Sequence, residues 1–326
     1  MVIQTAFIGD VILATGILEK LHQTFPDSQL DFLVRKGNES LLNDHPFIHS
    51  TLVWDKKKNK WGNMLRLIRT IRNEKYDLVV NLQRYNSSAF ITLRSGAKQT
   101  RGYASSFLSV FFDRRIEHKL GSAGNRGPHE IERNHQLIAD LCPGEVARPV
   151  LYPSKSDHNF IRAYSNENYI TISPASVWFT KQVPSSIWID FIRNLHNQKI
   201  FLLGGPGDQT LCAEIITSCP NQHVISLSGK LSLLQSAALM KSADMNYTND
   251  SAPLHLCSAM NAPVTAVFCS TIPEFGFGPL SDKSSIVQHR EALDCKPCGI
   301  HGYKECPKGH FKCGQIAIPD LLKSIQ

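Results

Sequence analysis

The pair Gly9-Asp10 closes an apolar run from Val2 to Ile8 and is followed by Val11, Leu13, Ile17, Leu18 and Leu21 at helical spacing. The carboxylate is therefore expected at the carboxyl end of a buried parallel strand, where open α/β sheets bind ligands, and Asp10 becomes the first candidate for proton transfer. The same position suits a helix cap at the positive end of the helix dipole, and the two roles are compatible. Downstream, Ile170 to Ser173 leads into Pro174-Ala175-Ser176-Val177-Trp178-Phe179-Thr180-Lys181, which offers a hydroxyl, main-chain amides and a lysine, the groups that hold a phosphate. Leu203-Gly204-Gly205-Pro206-Gly207-Asp208 opens another helix, and its glycines allow either close approach of a ligand or simply a tight strand-to-helix turn. In Asn249-Asp250-Ser251-Ala252-Pro253-Leu254-His255, Asp250 and Ser251 begin a helix whose free N–H groups suit a diphosphate. His255, one turn on, either faces that ligand or is a hydrogen-bonded core histidine.

The elements that must position these groups alternate regularly. Leu30 to Val34, Thr51 to Trp54 and Asp77 to Leu82 read as strands, with helices near 10–25, 61–74 and 86–95. After a break around Pro149 to Asp157 the series repeats. Strands are expected at Tyr169–Ser173, Lys199–Leu203, His223–Leu227, Asp244–Tyr247 and Val264–Phe268, separated by helices at Pro184–His196, Asp208–Ser218, Leu231–Lys241 and Ser251–Met260. Strands alternating with helices mean parallel, doubly wound sheets, so the fold class is α/β with two Rossmann-like domains, 1–155 and 156–326, facing a central cleft.

Composition sets the outer limits. With 42% hydrophobic and 19% charged residues in 326, the chain buries substantial cores. No apolar run approaches the ~20 residues of a membrane span, and the start lacks the charged region and cleavage site of a secretory signal, so a cytoplasmic location is expected. Residues 1–150 carry 21 Lys and Arg against 15 Asp and Glu, whereas 151–326 carry 14 against 13. The basic excess lies in the first half, with Lys56-Lys57-Lys58-Asn59-Lys60 its densest cluster, and favours an anionic partner such as a phosphorylated glycan or an acidic membrane surface. Aromatic residues interleaved with basic ones on one face are not evident, so no nucleic-acid partner is expected. Cys295, Cys298, Cys306 and Cys313 lie within nineteen residues, beside His301 and His310. They are compatible with reduced thiols packed together, with a tetrahedral metal site or, less readily in a reducing compartment, with disulfides.

Two blocks, Phe7-Ile8-Gly9-Asp10-Val11-Ile12-Leu13 and Asn249 to His255, together resemble the ADP-heptose:lipopolysaccharide heptosyltransferases of glycosyltransferase family 9. Intermediate segments agree in order: Tyr76-Asp77-Leu78-Val79-Val80-Asn81-Leu82-Gln83, Arg101-Gly102-Tyr103, His129-Glu130-Ile131-Glu132-Arg133-Asn134, and Val267-Phe268 followed by Thr271 and Pro273. The resemblance covers nearly the whole chain. It implies a GT-B architecture in which the first domain holds the acceptor and the second the sugar nucleotide, with the last helix expected to pack back on the first domain. It further implies an inverting, metal-independent transfer of heptose from ADP-heptose to the lipopolysaccharide inner core, with Asp10 as general base. The implied donor site comprises Ser176, Lys181, Gly204, Gly205, Asp208, Asp250, Ser251, Ala252 and His255. Gly9, Arg84, Arg101 and Arg133 are the implied acceptor contacts. The acceptor would be lipid A–Kdo or a phosphorylated inner-core glycolipid, reached by peripheral contact with the cytoplasmic face of the inner membrane in a Gram-negative cell. No cofactor is implied beyond the donor substrate.

This chain departs from the family pattern at two places. Ala252 stands where glycine is common after Asp-Ser, which is costly if that position needs positive φ. Asp208 and Gln209 replace a glutamate expected to hold the ribose. The alternatives are another GT-B sugar transferase or epimerase of surface polysaccharide synthesis, since fold does not fix substrate, and a zinc-stapled binding module. An epimerase would carry further acid/base residues around the ligand. A binding module would show no dependence on Asp10.

Overall fold

The computed structural model describes residues 1–325 as two compact units: Met1–Leu120 with Pro128–Tyr152, and Gly121–Gly127 with the chain from Pro153 onward. The junction at Tyr152 lies three residues before the expected boundary. Gly121–Gly127, which sequence alone placed in the first domain, belongs to the second unit. Its Gly127 amide donates to the Glu274 carbonyl at 3.1 Å, and Ser122 and Asn125 bridge each other. Glycine is required at 121, because a Cβ there would lie 2.0 Å from the Glu274 carbonyl oxygen.

In the first unit the elements are β1 (Val2–Gln4), α1 (Ile8–Thr24), β2 (Leu30–Arg35), β3 (Ile48–Trp54), α2 (Lys60–Glu74), β4 (Leu78–Asn81), α3 (Asn86–Arg94), β5 (Gln99–Tyr103), β6 (Arg114–Ile116) and α4 (Glu130–Gln136). The strands form one parallel sheet in the order β3-β2-β1-β4-β5-β6. This is the doubly wound order, and its reversal point lies between β1 and β4. Met1, Ile3, Leu33, Trp54 and Val79 meet Met64, Leu67, Ile68 and Ile71 of α2 and Ile91 of α3 in one buried cluster. Helix α1 packs against α4. The expected strand Val2–Ile8 is shorter, because Ile8 is already the first helical residue. A run of apolar side chains does not separate a buried strand from a buried helix start, and α1 is buried along most of its length.

The second unit repeats the plan with α5 (Lys155–Ile161), β7 (Tyr169–Ser173), α6 (Ser185–Arg193), β8 (Lys199–Leu202), α7 (Gln209–Thr217), β9 (Val224–Ser226), α8 (Leu233–Lys241), β10 (Met245–Asn249), α9 (Ala252–Met260), β11 (Val264–Phe268), β12 (Ser284–Gln288) and α10 (Ile318–Leu322). Its order, β12-β11-β10-β7-β8-β9, again reverses once, between β7 and β10. Strand β7 is buried throughout, as a central parallel strand must be. The last helix packs within the second unit. Leu321 is part of the second unit's core with Trp188 and Phe191 of α6, and its carbonyl accepts from the Tyr247 hydroxyl at 3.2 Å.

Candidate functional site

Both reversal points carry chemistry, and each is laced by an amide side chain. In the first unit Gln83, just beyond β4, donates to Gln4 at the end of β1. Asp10 stands in the first turn of α1. The helix is capped by Phe7, whose side chain makes no capping hydrogen bond, so Asp10 is not the N-cap its sequence position suggested. It acts from the third helical position, where its carboxylate reaches back to the amides of Phe7 and of Asp10 itself. Burial raises its pKa to about 6, and the charge of Glu130 adds to this. The two backbone amides and the Arg84 guanidinium oppose the rise.

Glu130 is the residue that the block His129 to Asn134 did not reveal as a lever. Burial would raise its carboxyl, but His118 and Arg133 outweigh burial and hold it at about 2. His118 Nε2 lies 3.0 Å from its Oε2, and Arg133 meets the same oxygen through Nε at 2.8 Å and Nη2 at 2.7 Å. Glu130 is thus a fixed buried anion whose field adds to the burial that keeps Asp10 basic.

The four implied acceptor contacts divide. Gly9 sits beside Asp10 in the first turn of α1. Arg84 is half-buried, and its guanidinium makes no hydrogen bond or ion pair among the described residues, which leaves it available beside Asp10. Arg101 and Arg133 are both engaged within their own unit. Arg101 is buried in β5 and spends its guanidinium on both Asp140 oxygens, at 2.5 and 3.1 Å, and on the Leu137 carbonyl at 3.1 Å. Arg133, also buried, is consumed by Glu130 and by the carbonyls of Lys119 and Pro128.

In the second unit Asn249, fully buried at the end of β10, donates to the carbonyls of Ser173, Pro174 and Ala175 and accepts from the Val183 amide at 3.0 Å. It thereby fixes the loop after β7 against the start of α9. This brings Ser176, Lys181, Asp250, Ser251, Ala252 and His255 to one edge. Lys181 Nζ lies 2.6 Å from Asp250, whose carboxylate also accepts from the Thr271 hydroxyl at 2.6 Å. Asp250 therefore orients the lysine and does not itself face a phosphate as a donor. Ser251 caps α9 and Ala252 is its first residue, in ordinary helical backbone, so the absent glycine costs no strain. Pro253 supplies no N–H, and the Leu254 amide bonds to the Ser251 carbonyl at 3.0 Å. The amides open to an anion are then those of Ser251 and Ala252, fewer than a helix start usually offers. His255 is buried.

Gly204, Gly205 and Asp208 stand one strand away, beyond β8, and form a self-contained turn. Asp208 accepts from the Gly205 amide at 2.7 Å, Ser228 donates to the Gly205 carbonyl at 2.6 Å, and a Cβ on Gly204 would lie 2.8 Å from the Asp208 side chain. The Gly205 amide and one Asp208 carboxylate oxygen are thus engaged within the turn.

The cysteine segment braces the lysine loop. The Thr180 amide donates to the Tyr303 carbonyl at 3.1 Å, the Tyr303 amide returns a bond to Thr180 Oγ1 at 2.8 Å, and Lys296 Nζ donates to the Phe268 carbonyl at 2.8 Å. All nine cysteines are free thiols. Cys295 Sγ approaches His310 Nε2 at 3.9 Å, and burial pushes Cys313 up to about 11. Among the described residues no group of three or more His, Cys, Asp or Glu is arranged to hold a metal ion.

The family model described as Glycosyltransferase family 9 (heptosyltransferase) matches residues 64–305. Lipopolysaccharide heptosyltransferase 3 of Escherichia coli is 27% identical over 281 residues, covering 81% of this chain and 82% of that protein. Among solved structures, E. coli ADP-heptose lps heptosyltransferase II superposes with a TM-score of 0.80 at 21% identity, covering 99% of this chain and 96% of that one. A family 9 glycosyltransferase from Veillonella parvula superposes with a TM-score of 0.85 at 20% identity, covering 99% and 94%. The fold is of the GT-B type.

Proposed function

The chain belongs to glycosyltransferase family 9, the heptosyltransferases, and from that premise we propose that it moves a heptose from ADP-heptose to the inner core of lipopolysaccharide with inversion. Asp10 is the general base. An acceptor hydroxyl must lose its proton as it attacks the anomeric carbon from the face opposite the leaving diphosphate. A carboxylate with a pKa of about 6 is ionised at neutral pH yet more basic than an ordinary one. One displacement needs one base. Arg84 meets an anionic group of the acceptor, either Kdo of lipid A–Kdo or a phosphate of the inner core. The departing ADP develops negative charge that Lys181 and the amides of Ser251 and Ala252 stabilise, so the reading calls on no divalent cation. Such an acceptor is membrane-anchored. The reading therefore includes peripheral contact with the cytoplasmic face of the inner membrane; no helix among the described residues is long and apolar enough to cross a membrane.

The observation that best supports this reading is the raised pKa of Asp10 beside an available arginine at a sheet reversal point. Calorimetry with ADP-heptose, ADP, UDP-sugars and GDP-sugars tests the donor. Preference for ADP-heptose is expected; preference for a UDP-sugar would transfer the protein to another GT-B sugar transferase.

A further inference from the structure

The outer face of the α2–α3 layer has a composition unlike the rest of the first unit. From Lys56 to Arg72 there are seven cations and no acid, and from Leu78 to Phe112 there is again no Asp or Glu. Helix α2 buries Met64, Leu67, Ile68 and Ile71 against the sheet and turns Lys60, Arg66, Arg69 and Arg72 to solvent, where none has a carboxylate partner among the described residues. Trp61 and Leu65, four residues apart, share that exposed face, with Trp61 65% exposed. Helix α3 packs beside α2, and the short helical turn Phe107–Phe111 packs beside α3. That turn presents Phe107 at 70% and Phe111 at 69% exposure, together with Val110.

Exposed apolar side chains beside cations that lack carboxylate partners, all on one layer, match an anionic bilayer, whose phosphates take the cations and whose interfacial zone takes the rings. The layer also lies where such contact would be useful. Lys56 Nζ donates to the carbonyl and hydroxyl of Thr5, both at 2.9 Å, which ties the start of α2 to the sheet edge where Asp10 follows. Ser106 donates to Asn86 at 2.6 Å and ties the Phe107 turn to the start of α3, two residues beyond Arg84.

We propose that the outer face of α2, α3 and the Phe107–Phe111 turn docks on an anionic phospholipid surface, with Trp61, Leu65, Phe107 and Phe111 entering the headgroup zone. The proposal rests on the glycolipid-acceptor reading and assigns the surface that reaches it. Co-sedimentation of the full chain with phosphatidylcholine vesicles, with and without phosphatidylglycerol, tests it. Binding that needs the anionic lipid and weakens with salt is expected. Arg66→Glu/Arg69→Glu and Trp61→Ser/Leu65→Ser, all at exposed positions, should each reduce binding roughly tenfold or more. Both variants should keep wild-type turnover on a deacylated, water-soluble acceptor and lose turnover on the same acceptor embedded in vesicles. Unchanged vesicle binding in both variants overturns the proposal. So does a wild-type protein that dimerises while both variants run as monomers with vesicle binding intact, which would make a second copy the occupant. A wild-type protein that binds vesicles but transfers no heptose to either acceptor sinks the functional reading and leaves the docking surface standing.

Discussion

Replacing Asp10 by Asn should cut turnover sharply and stabilise the fold, a combination that a purely structural carboxylate would not give. Burial and the Glu130 charge lift the Asp10 carboxyl from 3.8 to about 6. Between those two pH values the folded state holds the proton that the unfolded state has released, so stability falls as pH rises through the window. The full interval corresponds to about 3 kcal/mol. Half-burial lets water screen part of that, which leaves ~1–2 kcal/mol. Asparagine keeps an acceptor for the Phe7 amide and carries no charge, so the variant should melt a few degrees higher at pH 7.5 and equal the wild type near pH 3.5. Its turnover should fall by ~10² or more. In the wild type kcat/KM should drop about tenfold per pH unit below a midpoint near 6, since roughly one Asp10 in ten is ionised at pH 5. Glu130→Gln removes the fixed anion and should move that midpoint to lower pH. Scanning fluorimetry and a pH–rate profile read all of this. Wild-type turnover in Asp10→Asn, or an acidic limb centred below pH 5, would refute the reasoning.

Lys181→Ala should weaken ADP binding in calorimetry, but it also strands the buried Asp250 carboxylate and should cost ~2–4 kcal/mol of stability. Adding Asp250→Ala should recover much of that stability without restoring ADP affinity; restored affinity would remove Lys181 from the phosphate site. The two arginines should separate cleanly. Arg84→Ala should raise the acceptor KM about tenfold or more with little change in melting temperature. Arg101→Ala should leave KM unchanged and destabilise by ~1–3 kcal/mol, chiefly through the abandoned Leu137 carbonyl, since Arg114 still pairs with the partly exposed Asp140. The reverse pattern would exchange their roles.

Strands β7 and β11 are legible to the residue, because Tyr-Ile-Thr-Ile-Ser and Val-Thr-Ala-Val-Phe combine β-branched side chains with complete burial. The strands that escaped notice are β5 (Gln-Thr-Arg-Gly-Tyr), β6 (Arg-Arg-Ile) and β12 (Ser-Ser-Ile-Val-Gln). In β5 a buried arginine is tolerated only because Asp140, 39 residues on, pairs with it. The position of Asp10 was legible from the local change of periodicity, and the β7 and β10 loops from theirs. What makes those loops a site was not. The Lys181–Asp250 pair spans 69 residues of sequence, and the influence of Glu130 on Asp10 crosses 120. Local pattern reports where an element ends, whereas charge pairing reports which ends the fold brings together.

The excursion of Gly121–Gly127 has a consequence for anyone cutting or recombining the protein. The polypeptide passes from one unit to the other three times, after Leu120, after Gly127 and after Tyr152. A single cleavage near residue 152 therefore yields fragments that each lack something. The longer one misses the segment whose Gly127 amide occupies the Glu274 carbonyl, and the shorter one trails that segment without its seat. A chimaera joined at residue 152 seats one parent's Gly121–Gly127 segment on the other parent's Glu274 loop, whereas exchange at all three crossings keeps that contact within one parent.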